Sequence, residues 1–199
     1  MAPVTLKSKL LSMIQREIDR SDPEHPGLIM AKMNALTHEE VIEALYKASQ
    51  AGVKVLLNVR GVCMLVPGVP GLSENIKVIS IVDRYLEHSR IFYFQNGGSD
   101  EIYLASADWM PRNLDRRIEL MFPIIDEQAF DEVKEVLEVY FKDNVNALEL
   151  KEHGGWCGIP RNKDDEDFRA QETLYKKYKH LNDTASKGTK IEFEVRRKD

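Results

Sequence analysis

The sequence predicts an α/β domain built on a mixed β-sheet, and three observations carry that prediction. An amphipathic helical pattern opens the chain. Apolar, β-branched runs then alternate with a second helical pattern as far as residue 59. A hairpin pattern and a long helical pattern follow between residues 91 and 141. The chain has 199 residues, 43% of them hydrophobic, which is enough to bury a core. It reads as one domain over 1–199.

Taken in order, Leu6, Leu10, Leu11, Met13, Ile14 and Ile18 recur at helical spacing, which predicts a leading helix within residues 1–20 that SDPEHPG ends. LIMAKMN (28–34) reads as a strand. Thr37 and Glu40 form a capping-box pattern, and Val41, Ile42, Leu45 and Ala48 give the next helix a core face, with Gly52 as its stop. VKVLLNV (53–59) then reads as a buried strand, completing a strand-helix-strand unit with a parallel pair. The Pro- and Gly-rich run after it reads as a rigid loop before another strand, KVISIV (77–82). IFYFQ (91–95) and EIYLAS (101–106) flank NGGSD as a hairpin, and IELMFPI (118–124) adds a strand. Phe130, Val133, Val136, Leu137, Tyr140 and Phe141 share one face of a helix from Glu127 to Phe141. Beyond residue 150 the pattern weakens into a peripheral appendage (150–199). It holds a polar helix over 168–181, with Leu174, Tyr175 and Tyr178 inward, and closes on KGTKIEFEVRRKD, which reads as an edge strand or as a frayed tail.

The formal net charge of -5 argues against nucleic-acid binding driven by overall charge, although arginines gather locally. Cys63 and Cys157 suit free thiols in a reducing cytoplasm. No apolar run approaches the ~20 residues that span a bilayer, and MAPVTLKSKL lacks a signal-peptide core, so neither insertion nor export by that route is expected.

The run from Asp83 to Arg117 surrounds His88 with arginines and small residues. A lone histidine is more often a surface or structural residue. This one precedes the IFYF strand, where an α/β sheet places ligands outside its strand ends. A histidine with an ordinary pKa of about 6.5 can also donate to or attack a phosphate near neutral pH. Arg60 directly follows a buried strand and precedes Gly61, with no acidic neighbour to pair it, so a phosphate ligand is favoured over a surface cap. In SADWMPRNLDRR, Ser106 and its small neighbours leave room for an anion, and Arg112, Asn113, Arg116 and Arg117 supply donors, although such segments are commonly solvated faces. Arg117 is preferred to Arg116 because the alternation after it predicts that it starts a strand. Three signals are discounted. His153 with Cys157 makes no tetrahedral metal site, PGVPG lacks the phosphate-loop lysine, and the acidic run at 164–167 reads as a solvated loop.

The segments NVRGVCMLVPGVPGLSENIKVISIVDRYLEHSRIFYF and SADWMPRNLDRRIELMFPI closely resemble the carboxy-terminal region of bacterial polyphosphate kinases, whose catalytic domains are related to phospholipase D. The resemblance runs from about Leu6 to at least Phe141. It implies the second of two phospholipase-D-like domains, a mixed sheet flanked by helices. It also implies reversible transfer of the terminal phosphate of ATP to polyphosphate, through a phosphohistidine and with magnesium. The family's ATP-phosphate contacts map onto Arg60 and His88. The phosphorylated histidine and the magnesium-associated arginines belong to the preceding domain, so no metal ligand is expected in this chain.

Against the wider phospholipase D pattern, Arg90 stands at the lysine position, Gln95 at the expected aspartate position, and the later turn reads ASAD. A self-sufficient phosphodiesterase is therefore disfavoured. Because family members are several times longer, the chain is expected to be a fragment, with the remaining domains of the same polypeptide, ATP or ADP, and polyphosphate as its partners. Homo-oligomerisation of the full-length protein and a cytoplasmic location with peripheral association at the inner membrane surface are further expectations. Two alternatives stand beside this reading: a phosphodiesterase made of two half-sites in a dimer, and a non-catalytic docking module.

Overall fold

The computed structural model describes residues 1–162 and 164–185, so the predicted closing strand at 187–199 lies outside the described residues. The chain opens with helix α1 (Leu6–Arg20), strand β1 (Leu28–Met33), helix α2 (Glu39–Gln50) and strand β2 (Lys54–Val59), and β1 and β2 pair in parallel as the sequence predicts. Strand β3 (Ile76–Ile81) adds a second parallel pair. On the other side of β1, β4 (Ile91–Phe94), β5 (Glu101–Ala105) and β6 (Met121–Pro123) are all antiparallel. After helix α3 (Glu127–Phe141), β7 (Ala147–Leu150) and β8 (Trp156–Gly158) extend the β3 edge, and helix α4 (Ala170–Ala185) follows. The eight-stranded order is β6-β5-β4-β1-β2-β3-β7-β8.

Successive strand residues point to opposite faces, and this sorts β1 into two rows. Ile29, Ala31 and Met33 join the core under α1 and α2, with Leu10, Ile14, Leu45, Phe92 and Trp109. Met30 joins Tyr93, Ile102 and Leu137 under α3. The next residue in that second row is Lys32, only 4% exposed. A lysine buried in a sheet must find partners, and that requirement shapes the site described below.

Several expectations are corrected. The capping box does not form: His38 is the N-cap without a side-chain bond, and Glu40 instead meets Lys7 at 2.7 Å. The Trp109 carbonyl already receives the backbone N–H groups of Thr37 and His38, which removes the donors a reaching glutamate would satisfy. The strand expected over 118–124 narrows to β6, because Glu119 turns inward and bridges to Ala2. Residues 112–116 form a π-helical turn, so Arg117 follows a turn rather than starting a strand. NGGSD closes the hairpin through a 3-10 turn at Asn96–Gly98, with Asn96 at φ 53° and its N–H held by the buried Glu17. Beyond residue 150, β8 joins the edge of the sheet and α4 packs against α3. Tyr175 and Tyr178 stay 46% and 36% exposed instead of entering a core.

Candidate functional site

Parallel strands finish where antiparallel neighbours begin, so one end of this sheet collects the ends of β1, β2, β3 and β5 and the starts of β4 and β6. Arg60 ends β2, His88 and Arg90 precede β4, Ser106 follows β5, and Arg117 lies just before β6. The fold thus brings every sequence-predicted site residue to the same end. Among the described residues, the side chains of Arg60, His88 and Arg117 have no hydrogen-bond or ion-pair partner. Arg60 is half-buried, whereas His88 and Arg117 are exposed.

The backbone under Arg60 is rigid. Pairing with β1 continues past the strand, Arg60 N–H to the Met33 carbonyl at 3.2 Å and Gly61 N–H to the Asn34 carbonyl at 2.9 Å, and Ser80 donates to the Arg60 carbonyl at 3.1 Å. A Cβ at position 61 would sit 3.0 Å from the Asn34 oxygen, so glycine permits this close approach.

Beneath these free cations lies a layer of paired charges. Lys32 Nζ lies 3.2 Å from Glu87 and 3.5 Å from the Ser89 carbonyl, and stands 4.9 Å from the centre of the Tyr140 ring. Burial pulls its ammonium below the ordinary lysine range; Glu87 opposes this, and the nearby charges of Arg60 and Arg90 add to the lowering. Burial and Glu87 together hold the Tyr140 hydroxyl well above the usual phenol range. Arg90 makes a two-point contact with Asp108, at 3.0 Å for both Nε and Nη2. Burial alone would raise the Asp108 carboxyl, but bonds from Arg90 and from the Asn34 and Ala35 backbone outweigh it and hold the group below its ordinary value.

Ser106 and Asn113, unlike Arg60, His88 and Arg117, are already engaged by Glu119. Ser106 donates to Glu119 and accepts the Leu120 N–H at 3.0 Å; Asn113 donates to Glu119 at 2.6 Å. Asp115 pairs with Lys7 and His38 rather than with the arginines around it. Arg112 and Arg116 are exposed and, among the described residues, likewise unpartnered. Beside His88 opens a groove of about 720 Å³, walled by Tyr85, Tyr140, Leu174, Tyr175 and Tyr178. Sequence reasoning missed Lys32, Glu87 and this aromatic groove. The one available signal was a lysine inside an otherwise apolar strand.

Residues 1–171 match the family model described as polyphosphate kinase C-terminal domain 2. The chain belongs to that polyphosphate kinase family. It is 51% identical to the polyphosphate kinase of Rhodopirellula baltica over the whole of this chain and 23% of that protein. Against the polyphosphate kinase of Pseudomonas aeruginosa it is 50% identical, over 88% of this chain and 26% of that protein. The chain therefore spans about a quarter of the length of these curated relatives. The crystal structure of polyphosphate kinase from Porphyromonas gingivalis superposes on 90% of this chain and 27% of its own, with a TM-score of 0.84 and 40% identity. NUC from Salmonella typhimurium, described as a phospholipase D family member, shares the fold alone, with a TM-score of 0.52 at 13% identity over 73% of this chain and 90% of its own. These matches favour neither the half-site phosphodiesterase nor the docking module.

Gln95 lies at the opposite end of β4 from His88. This residue stands at the far end of β4, its N–H on the Leu28 carbonyl at 3.0 Å, with about 13 Å of strand between it and the His88 segment. A carboxylate there could not orient the imidazole. At the His88 end of this polyphosphate kinase domain, Glu87 is paired with Lys32 and Asp108 with Arg90. Both free-thiol assignments hold: Cys63 and Cys157 are unbonded, and burial pushes Cys63 up to about 11. No helix among the described residues is long and apolar enough to cross a membrane.

Proposed function

We propose that this domain supplies the phosphate-holding side of a polyphosphate kinase site that reversibly transfers the terminal phosphate of ATP to polyphosphate. The carrying observation is the free guanidinium of Arg60, held on a fixed backbone at the same sheet end as the unpartnered His88 and Arg117. A guanidinium with no internal acceptor can offer its planar fork to two phosphate oxygens. His88 donates a ring N–H to a phosphate oxygen, and Arg117 adds charge from the β6 side. Together they offset the negative charge of the transferring group, the main task in phosphoryl transfer.

The covalent step falls to a histidine outside this chain, on the remaining domains of the same polypeptide. Magnesium does not suit the donors present here. The nearby carboxylates Glu87 and Asp108 are committed to Lys32 and Arg90, and the surrounding groups are cationic. The same reading takes the full-length protein to be a cytoplasmic homo-oligomer, peripheral at the inner membrane surface.

Titrating the chain with tripolyphosphate and ATP by calorimetry tests this reading. Weak binding that Arg60→Ala and His88→Ala each diminish is expected, with no polyphosphate made by the chain alone. Undiminished binding in both variants, or polyphosphate synthesis by the isolated chain, would refute it.

A further inference from the structure

The segment that presents His88 has almost no secondary structure of its own. Residues 82–90 join β3 to β4 without helix or strand and bend at Arg84 and Tyr85. Val82 and Leu86 are 74% and 81% exposed, and Arg84 and His88 are exposed as well. The positions between them are anchored. Asp83 takes a two-point contact from Arg169, Glu87 takes Lys32, and the Ser89 carbonyl faces the same Lys32. Tyr85 is held differently, through its backbone. Its N–H donates to Gln171 Oε1 at 2.7 Å, and its carbonyl accepts from Gln171 Nε2 at 2.8 Å.

This reciprocal pair is what a neighbouring strand would supply, delivered here by one amide side chain. Gln171 is 4% exposed, and one turn further along α4 Tyr175 stacks on Tyr85 with ring centres 6.1 Å apart. The helix is itself fixed at its entry. Asp143, 1% exposed, accepts the Ala170 N–H at 2.8 Å and also the N–H groups of Val145, Asn146 and Ala147. Asn144 accepts the Phe168 N–H at 2.8 Å. Position 171 is therefore tied to the α3–β7 turn, which is tied to the sheet.

We propose that Gln171 is a positioning residue for His88: its amide locks the Tyr85 backbone and so presents the imidazole to phosphate. This rests on the phosphate-holding role proposed above. Without the amide, the segment between Asp83 and Glu87 loses both backbone bonds that tie it to α4, and ordering it falls to the ligand.

The test uses the 199-residue chain with tripolyphosphate as the probe. Calorimetry would follow affinity, and the His88 ring signals, identified by their loss in His88→Gln, would be followed by NMR. Gln171→Ala is expected to weaken binding about tenfold, in keeping with two lost hydrogen bonds and a freed segment. It should also broaden the His88 signals while leaving the buried Trp109 indole unchanged. Gln171→Glu keeps the volume but sets an acceptor against the Tyr85 carbonyl, so it should weaken binding similarly and serves if the alanine variant fails to fold. Wild-type affinity and a wild-type His88 spectrum in Gln171→Glu, with binding still lost in Arg60→Ala, would overturn the positioning role and leave the phosphate role standing. Undiminished binding in Arg60→Ala, or none by the wild-type chain, would overturn both.

Discussion

The two ends of the sheet treat charge in opposite ways. At the end where β1 begins and β4 finishes, the polar groups close on one another. Arg16 holds Glu101, Arg20 holds the Asn96 carbonyl and amide oxygens, and Lys134 and Tyr93 share Asp100. At the other end, the deeper charges are paired, but Arg60, His88 and Arg117 are left without partners among the described residues. Arg60 is the informative case, because a half-buried guanidinium beside the ammonium of Lys32 gives up solvation without gaining an internal acceptor. Paired charge marks architecture. Unpaired cations at one end are what the proposed phosphate-holding role requires.

The largest effect that would test this division is on stability. Asp108→Ala strips Arg90 of its carboxylate and leaves the Asn34 N–H without its acceptor, so unfolding should become easier by about 3 kcal/mol. A urea midpoint close to wild type would show that the paired layer is not structural. Arg60→Ala should do the reverse, shifting stability by less than about 0.5 kcal/mol while lowering tripolyphosphate affinity about tenfold or more.

Acidity should separate two carboxylates at opposite ends. The bonds from Arg169 hold Asp83 at about 2, so its contribution is complete above an unfolded value of about 3.9 and is lost as pH falls through about 2. Glu17 runs the other way. Burial raises its carboxyl despite bonds from the Asn96 and Leu28 backbone, so its contribution is complete below about 4.3 and is lost as pH rises through the raised folded value. Urea midpoints across pH 2 to 7 should therefore flatten at the low end in Arg169→Ala and at the upper end in Glu17→Gln. Identical profiles in all three proteins would remove both assignments. The smallest effect is expected for Arg112→Ala and Arg116→Ala, with less than about a twofold change in anion affinity, because exposed charges away from the ligand are screened. A tenfold loss would move the site toward the π-helical turn.

Long periodic patterns made most of the fold legible. The strand-helix-strand unit, the hairpin and α3 each repeat their apolar spacing over enough residues to declare a face. β7 and β8 offer only four and three residues, too few for a period to show. Arg60 and His88 were legible because they stand next to strands in sequence. Lys32 was hidden by its run, since LIMAKM reads as strand whichever face the lysine takes. Gln171 could not be found locally, because its partner Tyr85 is 86 residues away. The bonds of Ser106 and Asn113 to Glu119 were not legible, because their residue types suit an anion as well as an internal glutamate and the inward turn of Glu119 has no local signal.

The central position of β1 has a consequence for how the site comes into being. Arg60 stands on the strand to one side of it and His88 beside the strand on the other, so neither neighbourhood exists until β1 has paired with both β2 and β4. The first pairing spans one helix; the second joins Ile29 to Phe94 across most of the intervening chain. Such distant closures come late and slowly in folding. Anion binding should therefore appear in the last cooperative step of refolding, and a chain still emerging from synthesis would hold no phosphate until its hairpin had docked.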